Sequence, residues 1–196
     1  MRLSIIATMM SLTSPALPTI TETRDYNGFA EKARRLGLDA LVADATATVT
    51  GFPLLIEETK QANGTRDLRR TIDSGFAELG GWQKKPVGGI DWTKQNGRGA
   101  TVGVEVQVSG RSDMLAVDIL HLSAELIAGR IDIGIIIVPD DRLSRFLTDR
   151  TPNLRTAIKH VEARARDLPI RVLAFGHDGI GEALAKMVTN RGRPQD

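Results

Sequence analysis

In the stretch SDMLAVDILHLSAELIAGRIDIGIIIVP, residues 112–139, the hydrophobic period changes once. The first half places Leu115, Ile119, Leu122 and Leu126 on one stripe, three or four residues apart, behind Ser112 as helix N-cap. The second half, IDIGIIIVP, is apolar at nearly every position, as a strand buried on both faces must be. A helix feeding such a strand belongs to a sheet covered by helices.

The pattern continues on both sides. Downstream, helices are expected at 140–148 and 153–167, followed by the strand IRVLAFG. Upstream, TRDLRRTIDSGFAELGGW carries Leu68, Ile72, Phe76 and Leu79 at helical spacing, with Gly80 and Gly81 as the stop. GFAEKARRLGL, residues 28–38, reads as a short amphipathic helix, whereas 39–63 shows no clear period. GGIDWTKQ reads as a strand, and the loop NGRG joins it to GVEVQVSG, residues 103–110. Strands and helices interleave, so the expected fold is α/β, with a mixed central β-sheet flanked by helices.

Bulk properties set the limits. The 196 residues suit a single domain, 1–196, with one sizeable core. There is no Cys, which excludes disulfides, thiolate metal sites and cysteine nucleophiles. A net charge of +2 and a pI near 9.1 are compatible with a polyanionic partner without requiring one. Arg142, Arg145, Arg150, Arg155, Arg164 and Arg166 read as solvated helix faces. The N-terminal apolar run is broken by Ser4, Thr8 and Ser11 and makes a poor signal sequence. No segment is apolar and long enough for a bilayer, so a cytoplasmic protein is expected.

GVEVQVSG carries the chemistry. Val104, Val106 and Val108 alternate toward a core, and the other face shows Gly103, Glu105, Gln107 and Ser109. If this strand pairs with the one carrying Asp91, then Asp91 and Glu105 converge at one edge. Two close carboxylates repel unless a cation lies between them. An all-oxygen set favours a hard ion, Mg²⁺ or Mn²⁺, and the Val106 carbonyl offers another oxygen. On spacing alone, a solvated sheet face is a commoner explanation of such residues than a metal site.

Four stretches, AELGGW (77–82), GIDW (89–92), GVEVQV (103–108) and DILHLSAELIAGRIDIGIIIVP (118–139), together resemble the PD-(D/E)xK nucleases. Within that superfamily the resemblance is to type II restriction endonucleases of the BglII and BamHI type. It spans roughly residues 75 to 140 and leaves the N-terminal third uncovered. It implies a restriction-endonuclease-like core and a homodimer that cuts double-stranded DNA at a short palindrome, leaving 5′-phosphates. Mg²⁺ is the implied cofactor, with Mn²⁺ as a substitute. Asp91 and Glu105 would be metal ligands. Gln107 stands where most of the superfamily has Lys; a Gln is expected in the BglII branch, and the general base stays unassigned. Glu78 would be the outer acidic residue that some members use.

Arg98 in the NGRG loop, and Ser109 and Arg111 beyond Gln107, are the expected DNA contacts, with Arg111 either forking onto a guanine or meeting a phosphate. Trp82 and Trp92 read as packing residues, and His121, His160 and His177 as structural or surface residues. GHDGIG reads as a turn. Two other functions fit the same residues: a non-catalytic protein of this fold that binds DNA or assembles with other proteins, and a structure-specific repair nuclease.

Overall fold

The computed structural model describes residues 17–85, 89–109 and 112–186. In it the 112–139 unit folds as its period demands, as α4 (Ser112–Ile127) followed by β6 (Ile133–Pro139). The Ser112 side chain, proposed as the cap, and Arg111 lie outside the described residues. Every residue of β6 is buried. Ile133, Ile135 and Ile137 point into one core, and Ile136 and Val138 into the other. That alternation is why the segment needs no polar face.

β6 lies at the centre of a six-stranded sheet. It is parallel to β5 (Thr101–Val106) on one side and to β7 (Ile170–Phe175) on the other. The order is β1-β7-β6-β5-β4-β3, with β1 (Ile20–Asp25), β4 (Trp92–Gln95) and β3 (Gln83–Lys84) added antiparallel, so the sheet is mixed. One face carries α1 (Phe29–Leu36), α2 (Asp39–Thr50) and α3 (Arg66–Glu78), whose Phe29, Val49, Leu68, Ile72 and Phe76 meet the valines of β5. The other face carries α4 and α6 (Leu154–Arg164). Burial of Leu115, Ile119 and Leu122 stabilises α4 on the sheet by about 1.5–3 kcal/mol each.

The structure revises several local expectations. The region without a clear period contains α2 and β2 (Leu55–Ile56), which pairs parallel with β8 (Gly179–Ile180). The GHDGIG turn therefore includes a short strand, and Asp178 within it accepts from the Leu54 amide at 2.8 Å. The helix expected over 140–148 is one turn, α5 (Leu143–Phe146). Leu79 is exposed at the end of α3 rather than on its buried stripe.

The largest revision concerns β5. Its second face is not wet, because Gly103, Glu105 and Gln107 are buried beneath α4. Glycine permits this close approach. A Cβ on Gly103 would come within 2.7 Å of Ile131, and one on Gly134 within 2.7 Å of Leu122. Helix α4 therefore lies directly over Glu105 and Gln107.

Candidate active site

β4 and β5 form the expected hairpin. Trp92 pairs with Val104, so Asp91, one residue earlier, stands opposite Glu105. The Asp91 carboxylate closes this end of the ladder, with Oδ2 accepting from the Val106 amide at 2.9 Å. Gln107 follows, its backbone amide bonded to the Ile137 carbonyl at 2.8 Å. Asp91, Glu105, Val106 and Gln107 thus come together at the end of β5, all buried.

Glu105 is the centre of the site. It is 2% exposed, and its Oε1 has no hydrogen-bond partner among the described residues. Burial, and then the nearby charges of Asp91 and Asp118, push its pKa up to about 10. A carboxylate so placed binds either a proton or a cation. Asp118, on α4, is the third acid; its side chain accepts a hydrogen bond from Gln107 Nε2. Burial and Asp91 raise its pKa to about 6.

From the other face of the sheet, α3 contributes Arg69 and Asp73, one turn apart. Arg69 Nη2 pairs with Asp91 Oδ1 at 2.7 Å, and Nη1 donates to the Val106 carbonyl at 2.5 Å. Burial works against the Arg69 charge, but the bond and attraction from Asp91 outweigh it and hold its pKa above the ordinary value. Asp73 accepts from Arg69 Nε at 3.1 Å, Lys84 Nζ at 2.9 Å and Trp92 Nε1 at 3.0 Å. Burial pushes Asp73 upward, yet these donors bring it below its ordinary value.

The remaining expected residues fall elsewhere. Glu78 is exposed at the last turn of α3 and faces a groove against Ala47 and Thr48 of α2 and Phe52 just beyond it. Arg98 lies in the turn at the opposite end of the hairpin, beside Gly37. Four residues of strand separate Thr101 from Glu105, roughly 13 Å. Ser109, partly exposed, lies just past Gln107. Trp82 and Trp92 are packing residues as expected, one edge-on to Phe76 and the other stacked on it. His177 is half-buried as a residue, with its side chain 6% exposed and 3.3 Å from Glu58, and His121 is exposed on α4. Arg69, Asp73 and Asp118 belong to no motif that marks them in the sequence; Arg-x-x-x-Asp on the polar flank of an amphipathic helix is the only signal for the first two.

The donor set fits a hard divalent ion. Two facing carboxylates and a backbone carbonyl supply oxygen alone, and the unpartnered Glu105 oxygen, which otherwise takes a proton, is open to a cation. Among the described residues no three Asp, Glu or His side chains form a ready cage. Mg²⁺, which keeps several of its waters, needs no such cage.

A mixed sheet between helical layers, ordered in this way, is a restriction-endonuclease-like fold. The chain belongs to the restriction endonuclease BglII/BglIII family, whose sequence profile matches residues 36–177. It is a type II restriction endonuclease, from a family that generally uses divalent metal ions. The fold is similar to that of restriction endonuclease BglII complexed with a DNA 16-mer. The TM-score is 0.58 at 17% identity, covering 78% of this chain and 76% of that one. Free BglII matches with a TM-score of 0.50 at 15% identity, covering 86% and 81%. No curated protein matches the sequence. Among the described residues no helix is long and apolar enough to cross a membrane.

Proposed function

We propose that this chain, acting as one domain and as a homodimer in the cytoplasm, hydrolyses double-stranded DNA at a short palindrome with Mg²⁺ and leaves 5′-phosphates. The observation that carries the metal assignment is the buried, unpartnered Glu105 oxygen facing Asp91. Asp91, Glu105 and the Val106 carbonyl would hold the ion. When bound, a divalent ion neutralises charge on the scissile phosphate and acidifies water at the site. Gln107 orients that water. One Nε2 hydrogen is committed to Asp118, and the Gln107 carbonyl oxygen is the end that can accept a hydrogen bond from that water. Ser109, just beyond Gln107, would meet DNA near the cut, and Arg111, two residues further along the sequence, is proposed to join it; Arg98 would reach DNA only away from the scissile phosphate.

The dimer reading rests on the outer face of α4. Met114, Val117, Leu120 and Ile127 are 48%, 37%, 51% and 75% exposed and follow helical spacing. An apolar stripe of this kind is suited to pairing with its own copy about a two-fold axis. The exposed positions of α6, on the same face of the sheet, are mostly charged, among them Arg155, Lys159 and Glu162. We therefore assign the contact to α4. Two-fold protein symmetry makes the DNA target palindromic.

The test is incubation with phage DNA in Mg²⁺, in Mn²⁺ and with EDTA, followed by sequencing of the ends. Discrete fragments sharing one palindrome, and no cutting in EDTA, are expected. Tight binding without cleavage in Mg²⁺ would favour a non-catalytic protein. Cutting confined to nicks and flaps would favour a repair nuclease.

A further inference from the structure

We propose that Arg69 is a positioning residue: its guanidinium is the resident counter-cation of the metal ligands, bracing Asp91 and the Val106 carbonyl and yielding them when a divalent ion binds. The inference rests on the metal site proposed above. Its basis is that one cation already bridges the two atoms that site requires, at 2.7 Å to Asp91 Oδ1 and 2.5 Å to the Val106 oxygen. The other Asp91 oxygen is taken by the Val106 amide at 2.9 Å.

Asp91 faces Glu105 at the end of β5 and Asp118 approaches from α4; even with a proton on Glu105, the charges of Asp91 and Asp118 repel and call for a cation nearby. Arg69 supplies that cation from α3. A divalent ion sharing the same oxygens would lie beside a full positive charge, so the two cations compete. The guanidinium has somewhere to retreat. Asp73 grips its Nε at 3.1 Å and is itself fixed by Lys84 and Trp92. After withdrawing from Asp91, the side chain stays tethered at the rim of the site with its Nη groups free.

Competition predicts an effect opposite in sign to damage. A residue that merely supports the site weakens metal binding when removed; a resident competitor strengthens it. The experiment is calorimetric titration of Ca²⁺ and Mn²⁺ into the DNA-free protein, comparing wild type with Arg69→Met and Arg69→Gln, and with Arg69→Lys as the variant that keeps a charge but cannot bridge both oxygens. Thermal melts check folding. The expected result is metal binding at least roughly tenfold tighter in Arg69→Met and Arg69→Gln, the scale of one lost charge-assisted hydrogen bond, with Arg69→Lys between. The added ion should also raise the melting temperature of Arg69→Met more than that of wild type. Equal or weaker binding in folded Arg69→Met and Arg69→Gln overturns the role of Arg69 while leaving the metal site standing. Absence of binding in wild type and all variants overturns the metal site, and the inference with it.

Discussion

The two ends of the β4–β5 hairpin are built on opposite principles. At the closed end, the Asn96 side chain accepts from the amides of Arg98 and Ala100 at 2.9 and 3.0 Å, and Gly99 takes a positive φ. Its charge, Arg98, is exposed and costs little. At the open end, three acids and one arginine crowd beneath two helices, and Glu105 Oε1 is left without a partner. One end satisfies its hydrogen bonds, within its own turn and from Asn96 to the Leu36 carbonyl at 2.9 Å. The other holds charge in a place that stability alone would fill with apolar residues.

Substitutions should separate the two ends. The largest effect is expected at the open end. Asp91→Ala and Glu105→Ala should lower single-turnover cleavage by on the order of a thousandfold or more, the loss typical when charge stabilisation of a transition state is removed. Glu105→Gln should also abolish cutting but raise the thermal midpoint of the metal-free protein near pH 8, because Gln, unlike Glu105, needs to take up no proton on folding. A Glu105→Gln protein that cleaves normally would remove Glu105 from the site. Gln107→Ala should follow at about a hundredfold, the low end for a group that positions or transfers a proton. Asp118→Ala, acting through Gln107, should cost about tenfold by itself and little more when added to Gln107→Ala. Additive losses in that double mutant would separate the two residues.

The same end should respond to pH. Glu105 is raised from 4.5 to about 10, so the folded protein retains a proton that the unfolded chain has released. The contribution of this group to stability is therefore greatest below about pH 4.5 and declines as pH rises toward 10. A divalent ion must displace that proton. Its affinity should grow with pH by up to about tenfold per unit below pH 10, with measurable proton release on binding. Calorimetry in buffers of different ionisation enthalpy reads both. Metal affinity that is flat with pH would mean that Glu105 is not a ligand.

The smallest effect is expected at the closed end. Arg98→Ala should leave the single-turnover rate within about twofold and change at most the salt dependence of DNA affinity, as a backbone contact does. A large loss of rate there would show that the hairpin acts as one unit.

Elements with strong internal contrast were legible in the sequence. Valines at every second position mark β5, an unbroken apolar run marks β6, and Leu68, Ile72 and Phe76 mark α3, because burial of one face or two leaves its period in the residues. Asp91 and Glu105 could be paired across a four-residue turn because hairpin register is a local property. β1 and α2 were not legible. β1 is an edge strand with five of its six residues exposed, ITETRD, and α2, DALVADATATVT, is rich in Val and Thr with little contrast between its faces.

Periodicity therefore determined, by itself, that this chain makes a helix-covered mixed sheet with a carboxylate pair on one hairpin. Tertiary structure alone decided what surrounds that pair. Asp73 and Glu78 are both acids on α3, five residues and thus about 140° apart, and only the docking of the helix selects which one turns toward the hairpin. Arg69 reaches Val106 across 37 positions of sequence, and Asp118 meets Gln107 because Gly103 and Gly134 let α4 settle onto the sheet. Such contacts leave no period in the sequence, since they depend on the angle and depth at which separate elements pack.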